Sequence, residues 1–368
     1  MSTPDTTDPP SSARAATDGE PPLLRRIAGK LVISIALGAL FAWLVAHGGV
    51  PLIPSAEAFA QVRPWAIPVY LGCLLVTHFF RASRWRFLIE PVKKLPLREV
   101  ILLNWIGFFA IFALPLRLGE LARPALTKMR NDVPLSAGFG TIAVERVVDG
   151  LVTSLCVAWA LFALPRRHTD DALARALPFY GYLALTVFAC ALVALGLFLW
   201  QRKLAVRWTR AVVGLVSPRA GEVVAEKVGS VADGVRSIGD VRLAGGFLLE
   251  TLVYWGTNAA GMWVLAVGCG LPLTFPHAVA IMGILAIGIL LPAGPGLFGN
   301  FQLAISTGLK LYFAETVVGT GGAVFIFLLY AIQTVTITVL GVVPLYAARI
   351  PMSALLRVAP GNGGRPES

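Results

Sequence analysis

Long apolar runs alternate with short polar segments along most of the chain. A helix needs about 20 apolar residues, at 1.5 Å per residue, to cross a hydrocarbon core of roughly 30 Å. Six runs fit that pattern as full crossings: Leu31–His47, Trp65–Phe80, Ala137–Leu164, Phe179–Trp200, Leu243–Val267 and Gly322–Ala347. The pattern predicts an all-α polytopic membrane protein.

Two further apolar segments are too short for a full crossing. Val100–Leu114 and Ala278–Leu291 would measure only about 21 to 23 Å as helices. Each ends at a Leu-Pro pair, followed by a Gly-containing turn and a second short arm. We therefore predict two re-entrant helical hairpins in addition to the six crossings.

The positions of the basic residues set the predicted topology, because Lys and Arg concentrate on the cytoplasmic side of a membrane. With both short segments as hairpins, most of the 31 Lys and Arg residues fall on that side. If Val100–Leu114 crossed fully, the basic stretch from Arg202 to Arg242 would move outside. The hairpins then enter from opposite sides, each before a long span. This is an inverted repeat, the architecture of alternating-access transporters.

Polar segments divide the chain into regions. Residues 1–22 are rich in Pro, Ser, Thr and Asp and predict a disordered cytoplasmic tail. They are too long and acidic for a signal peptide, so we expect the first span to be retained. The transmembrane domain is predicted at 23–348, and 349–368 form a second cytoplasmic tail. Within the domain, 201–240 mix Arg with apolar residues and predict a cytoplasmic interfacial segment, with a solvated loop as the alternative.

Composition supports the membrane class. Hydrophobic residues make up 57% of the chain and charged residues only 14%, against about a quarter charged in soluble proteins. The net charge of +11 could suggest a nucleic-acid partner, but topology accounts for where the basic residues lie, so none is expected. Cys73, Cys156, Cys190 and Cys269 fall in or beside apolar runs and indicate neither a disulfide framework nor a metal site.

Six ionisable residues interrupt the apolar pattern at the first hairpin and in the span that follows it. At a helix centre each would cost roughly 2.5 to 3.5 kcal/mol against lipid, so they must face one another, water or a polar substrate. On helices, Glu145 and Asp149 share a face, Arg146 can reach Asp149, and Glu120 can reach Arg117 or Arg123. The six residues are Arg117, Glu120, Arg123, Glu145, Arg146 and Asp149.

Two interpretations of this cluster remain open. The three Arg and three acids sum to zero, so they could simply neutralise one another and hold the hairpin against the next span. Alternatively, Arg117, Arg123 and Arg146 receive a phosphate-bearing lipid head group through their planar forks. In that case Glu120, Glu145 and Asp149 form a supporting network for those arginines while the site is empty.

The second hairpin is rich in Gly and carries no charge. Its backbone could approach a ligand closely and offer amide groups, through Pro295, Gly296, Gly299, Asn300 and Gln302. It lacks the Lys-Ser/Thr ending of a nucleotide P-loop and follows no strand. No set of residues suited to catalysis or metal binding can be assembled, so we predict neither an enzyme nor a cofactor.

Several motifs together resemble the flippase-like family named for the transmembrane region of lysylphosphatidylglycerol synthase, the membrane part of the multiple peptide resistance factor. Ile111 stands where that family often has Asn, and Gln302 where an acid or His is common, which argues against cation binding or proton relay by the second hairpin. The motifs are Arg81-Ala82-Ser83-Arg84-Trp85, Leu114-Pro115 with Arg117, Gly119-Glu120 with Arg123, Glu145-Arg146 with Asp149, and Pro295-Gly296 with Gly299 and Phe301.

The resemblance implies an integral protein of the bacterial inner membrane that moves or binds a phospholipid or other polar lipid. In the synthase a separate soluble domain makes the aminoacylated lipid, and this sequence contains none, so lipid aminoacylation is not expected from it. We expect a lipid flippase-like transporter with cytoplasmic termini. The alternatives are a non-transporting lipid-binding scaffold of an envelope lipid pathway and a small-solute transporter with a closed central cavity. A homo-oligomer is a further option.

Overall fold

The computed structural model describes residues 23–114, 119–167, 171–201, 239–291 and 294–350, together with single positions between 206 and 231. Every regular element in these ranges is helical. The first eight helices are α1 (Leu23–His47), α2 (Ala56–Ala60), α3 (Ala66–Ser83), α4 (Trp85–Ile89), α5 (Leu97–Ala113), α6 (Ala122–Asn131), α7 (Leu135–Ala163) and α8 (Ala172–Trp200).

Five more helices follow from residue 241 onward. A 3-10 turn, Pro295–Leu297, precedes the third of them, and a π-helical turn, Val318–Gly322, joins the last two. They are α9 (Val241–Gly268), α10 (Phe275–Gly288), α11 (Asn300–Lys310), α12 (Glu315–Val317) and α13 (Ala323–Ala347).

Four stretches of helix are long and apolar enough to cross a membrane by length and composition. They are Ala66–Ile89, Leu135–Ala163, Ala172–Phe198 and Glu315–Ala347. Leu31–His47 and Phe275–Gly288 are shorter apolar helices. The predicted all-α membrane class is confirmed. The number of full crossings and the re-entrant course of the hairpins stay predictions.

Each short apolar helix packs against the long helix that follows the other one. α5 lies mainly along α13, and α10 lies mainly along α7. Because α7 follows α5 in the chain and α13 follows α10, this packing is reciprocal. Such an exchange is what two related halves would produce, and it brings the ends of α5 and α10 toward the same region.

Three apolar cores hold the described helices together, and the smallest of them joins α7 to α10 through Val157 and Ile284. The largest one gathers side chains of α3, α9, α10, α11 and α13, including Leu265, Ile281 and Phe325. The second joins α4, α5, α6 and α7, with Trp85 and Leu103 fully buried. The first core therefore fixes the second hairpin, and the second core fixes the first hairpin.

Several predicted regions lie outside the described residues. These are the N-terminal tail 1–22, nearly all of the tail 349–368, and most of the interfacial segment 201–240. Residues 115–118 of the first hairpin turn and 292–293 of the second also fall outside. The domain boundaries stay predictions.

Candidate functional site

A cavity of about 130 Å³ lies where α5 and α10 end. Side chains from α3, α5, α7, α8, α9 and α13 complete its wall. We call it the arginine cavity. Its polar lining is Arg81, Arg146, Asp149, Thr153, Tyr254, Trp255 and Gln333, and its apolar lining includes Phe108, Ile111, Phe112, Phe188, Ile289, Leu290 and Leu297.

Asp149 is the only carboxylate in that lining among the described residues, and Arg84 holds it. Arg84 donates from Nη1 to Oδ1 at 2.6 Å and from Nη2 to Oδ2 at 2.7 Å, a two-pronged ion pair. Trp255 Nε1 also donates to Oδ1, at 3.2 Å. Arg84 is 1% exposed and donates to Thr251 Oγ1 at 3.0 Å. The ion-pair partner of Asp149 is therefore Arg84, which does not line the cavity.

Arg81 enters the cavity from the last turn of α3 between two aromatic rings. Its guanidinium carbon lies 4.1 Å from the ring centroid of Phe108 and 5.9 Å from that of Tyr254. A ring face attracts a cation, so these contacts orient the guanidinium without neutralising it.

Arg146, one turn before Gly150 on α7, supplies a second guanidinium to the cavity. Its Nε is buried and has no hydrogen-bond partner within the described part of the chain. No carboxylate of the described residues forms an ion pair with Arg146 or with Arg81. The two guanidinium groups are close enough to repel each other electrostatically. The cavity therefore presents two guanidinium groups without a direct ion pair among the described residues, and Asp149 attracts both only at longer range.

Arg123 occupies a separate buried network beside the cavity. It forms an ion pair with Glu145, and its Nη1 donates to Asn104 Oδ1 at 2.6 Å. Its guanidinium carbon also lies 5.2 Å from the ring centroid of Trp85. Both charged groups are buried, at 4% exposure for Arg123 and 1% for Glu145. This pair ties α6 to α7 and is electrically neutral.

A small pocket of about 10 Å³ adjoins the arginine cavity. Arg146, Phe108 and Ile111 line both spaces. Glu120 and Arg123 line the small pocket. The cavity, the small pocket and their ion pairs together hold four described arginines and three acids, so positive charge is in excess. The arginines are Arg81, Arg84, Arg123 and Arg146, and the acids are Glu120, Glu145 and Asp149.

The structure thus brings together five of the six residues predicted for the charged cluster, while Arg117 lies outside the described residues. The pairing differs from the helical-spacing expectation: Asp149 pairs with Arg84 rather than with Arg146. Sequence reasoning missed Arg81 and Arg84 as site residues, because two Arg at the end of a span are typical of a cytoplasmic boundary. The signal that could have found them is their place in the first family motif.

The polar residues of the second hairpin stabilise its turn. Gly299, with φ of +82°, caps the start of α11, and its N–H donates to Gln302 Oε1 at 2.8 Å. Asn300 Nδ2 donates to the carbonyl of Gly288 at the end of α10, at 2.9 Å, and the Leu291 N–H donates to the same oxygen at 3.2 Å. Tyr330 donates its hydroxyl to Gly296 O at 3.1 Å. The arginine cavity is lined by none of the predicted set Pro295, Gly296, Gly299, Asn300 and Gln302.

Within the described ranges, no three His, Cys, Asp or Glu side chains come together as a group that could hold a metal ion. The chemistry of the cavity is therefore that of guanidinium, carboxylate and aromatic groups. Its excess positive charge suits an anion.

Comparison with known proteins gives one match. No curated protein and no solved structure matches the chain. The family model described as lysylphosphatidylglycerol synthase TM region matches residues 30–341, which include every residue that lines the arginine cavity. This agrees with the predicted resemblance and with the apolar helices of an integral membrane protein. The chain belongs to the family of the lysylphosphatidylglycerol synthase transmembrane region.

Proposed function

We propose that this protein binds a polar lipid by its phosphate-bearing head group in the arginine cavity and moves that lipid between the two leaflets of the bacterial inner membrane. The observation that carries the proposal is the pair Arg81 and Arg146, which line the cavity with no ion pair among the described residues. Membership of a membrane-lipid family directs the choice of ligand toward lipid.

Electrostatics favours an anionic head group. Arg81 and Arg146 are half-buried, and a cation held partly away from water without a direct counter-charge is destabilising. A bound phosphate would supply the missing negative charge, and a guanidinium can hold two of its oxygens at once. Phe108 and Tyr254 already orient the Arg81 side chain, so that side chain loses less conformational entropy when a ligand binds. Arg123 takes the supporting role, because Glu145 and Asn104 occupy its donors.

The packing of the two halves supports alternating access. α5 lies on α13 and α10 lies on α7, so a movement of either hairpin is transmitted to the opposite half. As part of the proposal, the two hairpins are re-entrant from opposite sides, the termini are cytoplasmic, and the arginine cavity lies near the midplane.

A small-anion transporter is the second candidate, and the cavity volume favours it. About 130 Å³ accommodates a head group or a free anion but not a whole lipid. The two candidates share the same chemistry at Arg81 and Arg146. The ligand of a lipid transporter carries hydrocarbon chains attached to the anionic group, whereas the ligand of a small-anion transporter does not.

The test is to identify lipids that co-purify with the protein by mass spectrometry. Wild type is compared with the double variant Arg81→Gln/Arg146→Gln and with Arg130→Gln, which removes an exposed arginine paired with Glu99. We expect anionic phospholipid to be enriched in wild type and in Arg130→Gln, and depleted several-fold in the double variant. Equal anionic lipid in all three would contradict the proposal. A wild type that carries no lipid but is stabilised by inorganic phosphate would favour the small-anion transporter.

A further inference from the structure

We infer that an apolar groove between α8 and the second hairpin holds an acyl chain of the lipid whose head group occupies the arginine cavity. This inference rests on the proposed function and specifies its substrate class: a lipid with an anionic head and a long hydrocarbon chain. The argument comes from the shape, the lining and the continuity of the groove.

The groove has a volume of about 630 Å³ and an almost entirely apolar wall. One wall is a single face of α8, and the opposite wall is formed by the end of α10 and the start of α11. Val157 of α7 contributes to the groove. The α8 face comprises Leu173, Leu177, Tyr180, Gly181, Leu183, Ala184, Val187 and Phe188, and the opposite wall includes Ile284, Ile287, Leu290, Leu291, Leu303 and Ala304.

The course of α8 explains why this groove is open. α8 packs mainly against α7 and makes only a few contacts with α11. Most of its side chains are exposed or half-buried, as expected for a helix surrounded by lipid. The gap between α8 and the second hairpin is therefore lined by apolar surfaces that no described helix covers.

The groove and the arginine cavity are neighbours that share two side chains, Phe188 and Leu290. The ring of Phe188 lies directly on Gly150 of α7: an added Cβ at Gly150 would fall 2.1 Å from Phe188 Cε1. Only glycine allows this approach. α7 itself runs from one space to the other, with Asp149 and Thr153 lining the cavity and Val157 lining the groove. Phe188 is thus the partition between a cationic space and an apolar one.

This arrangement fits one amphipathic molecule better than two separate ligands. An anionic head group satisfies Arg81 and Arg146, and a hydrocarbon chain passing Phe188 covers the groove. The inner end of the groove offers no unpaired amide, because Asn300 already donates to Gly288 O at 2.9 Å, so a chain buries no unsatisfied donor there. A helix from a second copy would cover the groove but leave the two cations without a partner.

The test fills the groove and compares a long-chain lipid with a short-chain lipid that carries the same head group. Ala184→Trp places a large ring in the groove. Ala194→Trp is the matched control, since Ala194 is exposed on the same helix and outside the groove lining. Native mass spectrometry measures binding of dioleoyl and of dihexanoyl phosphatidylglycerol to each variant and to Arg146→Gln.

We expect Ala184→Trp to weaken binding of the dioleoyl lipid by about tenfold, equivalent to about 1.4 kcal/mol, and to leave binding of the dihexanoyl lipid and the behaviour of Ala194→Trp unchanged. Arg146→Gln should weaken both lipids. Wild-type affinity of Ala184→Trp for the dioleoyl lipid would overturn the acyl-chain assignment alone. A change of oligomeric state in Ala184→Trp with unchanged lipid binding would also overturn it, in favour of a second copy. A wild type that binds neither lipid would overturn the proposed function itself.

Discussion

Arg84 and Asp149 face each other in a two-pronged ion pair, with both oxygen–nitrogen distances between 2.6 and 2.7 Å. The pair joins the end of α3 to the middle of α7. Arg84 occupies both carboxylate oxygens. Asp149 therefore acts on Arg81 and Arg146 only at longer range, and one carboxylate stands against three arginines. The positive character of the arginine cavity follows from this one relationship.

Breaking that pair should destabilise the fold. Arg84→Ala leaves the buried carboxylate of Asp149 without its partner, which typically costs about 3 to 5 kcal/mol. Thermal or denaturant-induced unfolding in detergent measures the loss of unfolding free energy. Arg130→Ala is the control, because its partner Glu99 lies at the surface and such pairs contribute about 0.2 to 1 kcal/mol. Equal effects from the two substitutions would show that Asp149 is hydrated rather than held by Arg84.

Substitutions at Arg123 and Arg146 should differ in their effect on the free energy of unfolding. Arg123→Gln leaves Glu145 buried and unpaired, so a loss of about 3 to 5 kcal/mol is expected. Arg146→Gln removes a cation that has no ion pair among the described residues, and its stability should lie within about 1 kcal/mol of wild type. The same unfolding measurement compares them. A large loss for Arg146→Gln together with a small loss for Arg123→Gln would mean that their roles are reversed.

The helical class and the helix order could be predicted from the sequence because long apolar runs have few solutions in lipid, where every backbone group must be bonded internally. Some limits moved by only a few residues: Val100–Leu114 was predicted and the helix is Leu97–Ala113, and Leu243–Val267 was predicted and the helix is Val241–Gly268. The starts of α1 and α8 moved further, to Leu23 and Ala172. The smaller shifts reflect capping, as at Asp240, whose side chain accepts from the first N–H groups of α9.

The pairing within the site could not be predicted in the same way. Spacing along a helix reports only neighbours three or four residues apart, and so it favoured Arg146 for Asp149. The actual partner, Arg84, lies 65 residues away, and Arg123 reaches Glu145 across 22 residues. Both pairs depend on which helices pack together, which periodicity does not contain. Arg81 was hidden for a related reason, since its aromatic partners Phe108 and Tyr254 come from other helices.

Topology is testable by labelling single cysteines in a variant that lacks the four native ones. Glu222→Cys, in the basic segment after α8, should react with a membrane-impermeant reagent only from the cytoplasmic side. Pro272→Cys, in the loop before α10, should react only from outside. Both positions are exposed. Labelling of either one from the opposite side would contradict the inverted arrangement of the hairpins.

Asp171 and Lys310 give a prediction for pH. Burial alone would raise the pKa of Asp171, but hydrogen bonds from Lys310 Nζ, at 2.8 Å, and from the Ala174 backbone outweigh it and lower that pKa. A carboxyl group whose pKa falls on folding stabilises the protein above its unfolded pKa of about 3.9, and this stability is lost as the pH drops through the folded value.

Asp171→Asn should therefore lower stability at neutral pH and reduce the loss of stability below about pH 4, relative to wild type. Unfolding temperatures recorded from pH 7 to acid pH test this. Glu57→Gln, at an exposed position near the start of α2, is a suitable control that should follow wild type. Parallel pH profiles for wild type and Asp171→Asn would show that Lys310 does not stabilise the charged carboxylate.

The most direct test of lipid movement through the arginine cavity is the rate at which labelled phospholipids cross between leaflets in proteoliposomes. Wild type and Arg130→Gln should move an anionic phospholipid well above the protein-free rate. Arg81→Gln/Arg146→Gln, reconstituted to the same protein density, should fall to the protein-free rate. Wild-type transport by the double variant, or no transport of any lipid by wild type, would contradict a role for the two arginines in moving lipid.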